Sequence, residues 1–248
     1  MSWSSGKDSA LALHEVLRDD DIEVAGLLVT MNATHDRVAM HAVRRALLEQ
    51  QAAALGVPLH LVQLPWPCPN NEYERLMSSA LAAARSHGVD TIVFGDLFLA
   101  DIRAYREQQL AGTGFTPLFP LWQRPTRELA EQMLDVGISA VLTCVDPQRL
   151  APSYAGRRFD RALLDQLPAD VDPCGENGEF HTFVDASPDF TAPLDVQVGE
   201  VVERDGFVFA DVLPRDPATT PPTTSTATPP STATPPSTAT IRGLSGGS

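Results

Sequence analysis

The hydrophobic positions of this chain change period several times, and the changes lay out its elements. Ala10, Leu13 and Leu17 stand three and four apart, the spacing of one helical face. Residues 22–31, IEVAGLLVTM, form a nearly unbroken apolar run ended by Asn32, the pattern of a strand buried on both faces of a parallel sheet. A long helix is predicted over 37–55, closed by Gly56 and Pro58. A strand over 58–65 follows, then a loop. The next helix runs to residue 87, with Asn70 or Asn71 as cap and Gly88 as stop. Residues 89–96, VDTIVFGD, make another buried strand. Residues 101–110 read as a polar helix and 115–122 as a proline-broken edge strand or loop. Thr126 caps a further helix that Gly137 stops, and 138–146 is a last buried strand, with Cys144 as a small core residue.

This alternation predicts an α/β fold with a doubly wound parallel sheet over residues 1–150. The pattern then shifts. A short helix over 158–167 and a glycine-rich segment over 172–184 precede two strands around the turn Arg204-Asp205-Gly206. These make residues 151–214 a small α+β region. Residues 215–248 are Thr/Pro/Ser-rich, with TATPPS recurring every six residues. With almost no large apolar side chain to bury, they are expected to be a disordered tail.

The most chemically pointed stretch is SSGKDS, residues 4–9. A small-residue turn opening a helix is an anion site, because first-turn N–H groups lack helical partners and sit at the positive end of the macrodipole. Lys7 adds a point charge; Ser4, Ser5 and Ser9 add hydroxyl donors. The string is not a Walker loop, which needs G-x-x-x-x-G-K-[ST]. Read without ligand, it is a capped helix start with Ser5 or Asp8 as cap. Three residues precede it, fewer than the roughly 5–6 of an average strand. A start placed too far downstream, or a truncated first strand, is therefore expected.

A second candidate is CGENGEFHTFV, residues 174–184, which gathers Glu176, Glu179 and His181 around two glycines. Carboxylates so placed coordinate Mg²⁺, hold an ammonium ion or act as acid and base, or else form a solvated surface turn. Gly95 and Asp96 end a buried strand, where open α/β sheets bind ligands; alternatively Asp96 caps the next helix. His35 and His41 have no partners at metal-ligand spacing.

The net charge of −14 repels a nucleic-acid backbone, so no nucleic-acid partner is expected. No apolar run is long enough to span a membrane and no signal peptide is visible. Cys68, Cys144 and Cys174 are odd in number and scattered, as expected of reduced thiols in a cytoplasmic protein.

SSGKDS resembles the SGGKDS loop of the PP-loop ATP pyrophosphatases, which cleave ATP between the α- and β-phosphates. Ser5 stands where the motif usually has glycine, and a serine fits there if its φ stays negative. With TPLFPLWQR at 116–124 and GENGEFHTFV at 175–184, the chain from Ser4 to about Leu213 resembles the diphthine–ammonia ligase family. That family joins a PP-loop, HUP-like ATP-binding domain to a smaller C-terminal region. The resemblance implies a ligase using ATP and Mg²⁺. A carboxylate is adenylated, pyrophosphate leaves, and ammonia opens the acyl-adenylate to an amide and AMP. It implies that Ser4, Ser5, Gly6, Lys7, Asp8 and Ser9 hold the phosphates, with Asp8 orienting Lys7 or the metal. Thr30 and Met31 would meet adenine and ribose, with Gly95 and Asp96 beside them. Glu176, Gly178, Glu179, His181 and Thr182 would line the substrate side, Glu176 and Glu179 binding ammonium or positioning the acceptor. The acceptor is expected to be a carboxylate, of a small molecule or a protein side chain. Many Ala, Arg, Asp, Pro and Leu residues and few lysines suggest a GC-rich bacterial genome, in which the resembling members serve a small carboxylate. Two other readings stand. A PP-loop tRNA sulfur transferase would need a reactive cysteine, for which Cys174 is the candidate. A non-catalytic, universal-stress-type ATP-binding module would use a loop built mainly of Gly and Ser.

Overall fold

Alternating burial along residues 27–32 sets the central sheet: Leu27, Val29 and Met31 are buried while Leu28, Thr30 and Asn32 face the other way. A computed structural model describes residues 1–34, 37–38 and 43–215. Of the tail expected over 215–248, residue 215 is described, its N–H donating to Asp195 O at 2.9 Å, while residues 216–248, and His35 and His41, lie outside the described residues. In chain order the first elements are α1 (Lys7–Val16), β1 (Leu27–Asn32), β2 (Arg37–Val38), α2 (Arg45–Leu55), β3 (Leu59–Leu64), α3 (Asn70–Ser86), β4 (Thr91–Val93), α4 (Ala100–Leu110) and β5 (Thr116–Leu118). There follow α5 (Thr126–Asp135), β6 (Ser139–Val145), β7 (Arg158–Phe159), α6 (Arg161–Gln166), β8 (Phe180–Ala186), β9 (Val196–Arg204) and β10 (Phe207–Pro214).

β1 pairs in parallel with β3 from Leu27–Leu59 to Asn32–Leu64, and β4 in parallel with β5 from Thr91–Thr116 to Val93–Leu118. Residues 1–3 join these two pairs. Ser2 bridges Leu28 in parallel, and Trp3 N–H donates to Leu28 O at 2.9 Å. On the other side Ser2 N–H donates to Val93 O at 2.9 Å. The strand order is thus β3, β1, residues 1–3, β4, β5, and the winding reverses at the middle. Ligands of open α/β sheets bind at such a reversal, outside the carboxyl ends of the strands. Residues 4–9 leave the sheet at that point.

The strand at 139–145 is buried as expected, but it does not extend the parallel sheet. β6 pairs antiparallel with β8 along one edge; along the other it meets β7 near its start and β10 near its end. β10 continues antiparallel to β9 through the Arg204-Asp205-Gly206 turn. The partners of β6 therefore come from residues 158–214, and no local period announces such long-range pairing. The doubly wound sheet ends at β5, and a second, antiparallel sheet packs beside it.

Several boundaries differ from expectation. The helix expected over 37–55 is α2 alone; Arg37–Val38 instead pairs antiparallel with β1, Val38 N–H donating to Val43 O at 2.9 Å. The helix expected over 158–167 shortens to α6, capped by Asp160, whose side chain accepts from Leu163 N–H. Pro69, Leu99 and Pro125 occupy the N-cap positions of α3, α4 and α5, and no side chain caps them. Asn70, Asn71, Asp96 and Thr126 are therefore not caps.

Candidate active site

The N-terminal turn of α1 opens from a loop held by its own hydroxyls. Gly6 is the N-cap. Its N–H reaches Ser4 Oγ at 3.3 Å, and Ser4 Oγ lies 3.0 Å from Ser9 Oγ. Ser9 Oγ donates to Gly6 O at 2.9 Å. Lys7 N–H donates to Thr182 Oγ1 at 3.1 Å. Hydroxyls thus satisfy backbone donors that a phosphate would otherwise take. Ser5 departs from expectation: its φ is +69°, in the left-handed region, and its buried Oγ has no hydrogen-bond partner. The backbone here has the form that suits glycine.

Lys7 is the chain's only lysine. It is 2% exposed, and its Nζ donates to both Asp8 oxygens at 2.9 Å and to Cys174 O. The rings of Phe159 and Phe180 pack against the ammonium, with centroids at 5.5 and 5.3 Å. Burial works to lower its pKa, but Asp8, Cys174 and Glu176 outweigh that and hold it above the usual lysine value. The amine is therefore a fixed charge behind the loop, tying α1 to residues 174–179.

That second loop is organised by Asp172, whose Oδ1 accepts from Cys174 N–H at 2.9 Å and Glu176 N–H at 3.2 Å. Gly175 is required by close approach: its φ is +70°, and a Cβ there would lie 2.7 Å from Phe180 O. The loop aims Glu176 into the cleft, where one carboxylate oxygen accepts from Leu97 N–H at 2.8 Å. Burial, opposed by that bond and reinforced by Asp8, raises its pKa to about 7. Glu179, expected beside it, turns inward at 1% exposure and accepts from Asp172 N–H and Asn177 Nδ2, each at 3.1 Å. It braces the loop and, with Gly178, stays off the cleft wall.

The cleft has a volume of about 1320 Å³. Ser4, Lys7, Asp8, Thr30, Asp96, Glu176, His181 and Thr182 line its sheet end. Strand alternation separates two residues expected together, since Thr30 faces the cleft while Met31 is wholly buried beneath the sheet. Gly95 acts by proximity: a Cβ on it would lie 3.0 Å from Asp8 C and Ser9 N. Asp96 faces Arg106, with Oδ2 3.5 Å from Nε. Burial pushes its carboxyl above the usual range, Arg106 opposing. The other walls are helical stripes, Tyr73, Met77, Leu81 and Arg85 on α3 and Ile102, Tyr105, Arg106 and Gln109 on α4. Among the described residues, no three or more His, Cys, Asp or Glu side chains are grouped to hold a metal. Cys174 is buried, its Sγ donating to Thr126 O at 3.3 Å, and burial drives its thiol pKa far up. It is not a reactive nucleophile.

Sequence reasoning passed over Gln51. Fully buried on α2, it accepts from Trp3 Nε1 at 3.0 Å and donates to Ser5 O at 3.1 Å and Val184 O at 2.6 Å. A polar residue on the inner face of a helix was its only signal. Arg106 and the α3 stripe were also missed, because a spacing of four reads as core whether a helix faces protein or a cleft.

A family model described as the diphthamide synthase N-terminal domain matches residues 1–114, and one described as its C-terminal domain matches residues 125–210. Over 184 residues the chain is 28% identical to the human diphthine–ammonia ligase, covering 72% of this chain and 68% of that protein. It is 24% identical over 231 residues to the rat enzyme of the same name, covering 84% and 86%. To the zebrafish one it is 26% identical over 230 residues, covering 84% and 90%.

Proposed function

Because the chain belongs to the diphthamide synthase family, matching its N- and C-terminal domains in order, we propose that it is an ATP-dependent amide-forming ligase. It activates a carboxylate as the acyl-adenylate, with release of pyrophosphate, and joins the acyl group to ammonia. The relatives' name, diphthine–ammonia ligase, gives ammonia as one substrate. The observation that carries the reading is that the anion-binding turn of α1 and Glu176 open into one cleft at the sheet's reversal point.

The chemistry follows from the side chains. The triphosphate lies on the first turn of α1, where Ser4 and Ser9 exchange their mutual hydrogen bond for phosphate oxygens. Lys7 stays buried and adds positive potential that favours the departing pyrophosphate. Thr30, at the carboxyl end of β1, meets the nucleoside. Mg²⁺ needs only one or two carboxylates besides phosphate. Asp8 and Asp96, whose buried Oδ2 is ion-paired to Arg106 but not hydrogen-bonded, would hold an ion carried in with ATP. Such an ion would neutralise charge on the leaving group. Glu176, titrating near neutrality, takes a proton from ammonium so that ammonia attacks the acyl carbon. The bond from that carbon to the phosphate oxygen breaks, and the second proton shed by the nitrogen leaves with the AMP phosphate. The partner oxygen of Glu176 stays anchored on Leu97 N–H. Three free thiols fit a reducing compartment, the cytoplasm.

The test is pyrophosphate release from ATP with ammonium and a panel of carboxylic acids. Release that depends on both a particular acid and ammonium, with amide and AMP in equal amounts, supports the ligase. ATP binding without release under any condition overturns it in favour of a binding module.

A further inference from the structure

The ligase reading leaves one charge unaccounted for. An acceptor carboxylate entering this cleft meets Asp8, Asp96 and Glu176, all acidic. The only lysine is engaged by Asp8 and Cys174 O. Arg85 lies at the far end of α3, over the Phe115 ring at 5.8 Å. Arg106 is better placed. It projects from α4 toward Asp96, at the carboxyl end of β4, with its guanidinium 5.0 Å from the centroid of Phe94. Its Nε is ion-paired with Asp96 Oδ2 at 3.5 Å, but the pair is long, and neither buried atom makes a well-formed hydrogen bond. A buried guanidinium N–H held short of a good hydrogen bond is unfavourable, and an incoming carboxylate would complete it.

We propose that Arg106 binds the acceptor carboxylate, and that the acceptor is an elongated acid whose apolar body lies between Tyr73 and Met77 of α3 and Ile102 and Tyr105 of α4. A guanidinium holds a carboxylate through two parallel N–H bonds, and its stacking on Phe94 fixes the plane of that fork. Ile102 and Tyr105 are exposed at 36% and 41%, apolar surface that an acceptor would cover. The cleft, at about 1320 Å³, exceeds the roughly 300–1,000 Å³ of a single-ligand pocket, which leaves room for a second substrate beside ATP.

The proposal rests on the ligase reading and is tested on the full chain by pyrophosphate release with ATP, ammonium and a series of monocarboxylic acids from acetate to long-chain and aryl acids. The wild type should show kcat/KM rising with the length of the acid. R106Q should raise the acceptor KM by about 30-fold or more, the loss of one buried charge partner. ATP binding should change by less than about twofold, which also shows that the variant folds. R106K should fall between the two, keeping charge but not the fork. I102S should flatten the dependence on length. An unchanged acceptor KM in R106Q, or an ATP affinity that falls with it, overturns the assignment while leaving the ligase intact. If wild type binds ATP but releases no pyrophosphate with any acid, the ligase reading and this assignment fall together.

Discussion

The Lys7 ammonium donates to the carbonyl oxygen of Cys174, joining the first turn of α1 to the 174–179 loop across 167 residues of sequence. The two motifs are therefore one mechanical unit. A phosphate on the α1 turn and an acyl group beside Glu176 are held in register by a buried charge. Removing that charge should affect both substrates at once.

Lys7→Met tests this. It leaves Asp8 facing the buried loop without its cation. Breaking a buried pair is unfavourable by about 3–5 kcal/mol, and the lower end applies because Asp8 is partly exposed. Urea unfolding should show that drop, and KM should rise for ATP and acceptor together. Because Lys7 is the chain's only lysine, peptide mapping after acylation reads its burial directly. The native protein should resist modification at Lys7, and urea should abolish the resistance. Ready acylation in the native state would contradict the buried arrangement.

Ser5→Gly should stabilise the protein. The substitution relieves a left-handed backbone, worth about 1–2 kcal/mol for a non-glycine residue, and removes an unpaired buried hydroxyl. Against this stands the greater freedom of glycine in the unfolded chain, about 0.5–1 kcal/mol. The net gain is about 1 kcal/mol, seen as a higher denaturation midpoint at unchanged m-value. Ser5→Ala removes only the hydroxyl, keeps the strained φ and should gain less.

Glu176 sets a pH dependence. Its pKa is raised from the ordinary 4.5 to about 7, chiefly by burial. As a raised carboxyl, it binds its proton more tightly in the folded chain. Its stabilising contribution is complete below about 4.5 and is lost as pH rises through about 7. Activity should run the other way, rising through about pH 7 as the base becomes available. Glu176→Gln, isosteric with the protonated form, should lose the activity limb and also the decline in stability over that window. An unchanged rate profile in this variant would remove Glu176 from proton transfer.

Much of the fold was legible because its signals are local. The apolar positions that place β1, Gly56 and Gly88 ending α2 and α3, and the turn at Arg204-Asp205-Gly206 are each written within a few residues, although the strand expected over 22–31 is only Leu27–Asn32 and buries one face rather than two. The pairing of β6 was not, since its partners lie at 158–214 and a buried strand has the same apolar run in either orientation. At the site, residue types pointed to the two loops but not to where each side chain is aimed. Thr30 and Met31 are neighbours in sequence and opposite in direction. Glu176 and Glu179 share one motif, yet one enters the cleft and the other holds the turn. The Ser5 backbone runs left-handed because Gln51 Nε2 and Val184 N–H both bond its carbonyl. That constraint arises in tertiary structure and no string of residues carries it.

Gln51 supplies the last prediction. Its amide satisfies Trp3, Ser5 and Val184 at once and so links residues 1–5, α2 and β8 behind the loop. Gln51→Leu fills similar space but strands the Trp3 indole N–H and the Val184 carbonyl in a dry core. Each buried orphan is unfavourable by about 1–3 kcal/mol, so a loss of about 3 kcal/mol is expected. The kinetic consequence separates positioning from stability. Below the melting transition the variant should keep its acceptor KM but lose kcat, because Ser5, and with it the helix start that holds the phosphates, is less firmly placed. Gln51→Glu keeps an acceptor for Trp3 but removes the donor to Ser5 O. It should reproduce the kcat loss, and wild-type turnover in that variant would show that the Ser5 contact does not position the loop.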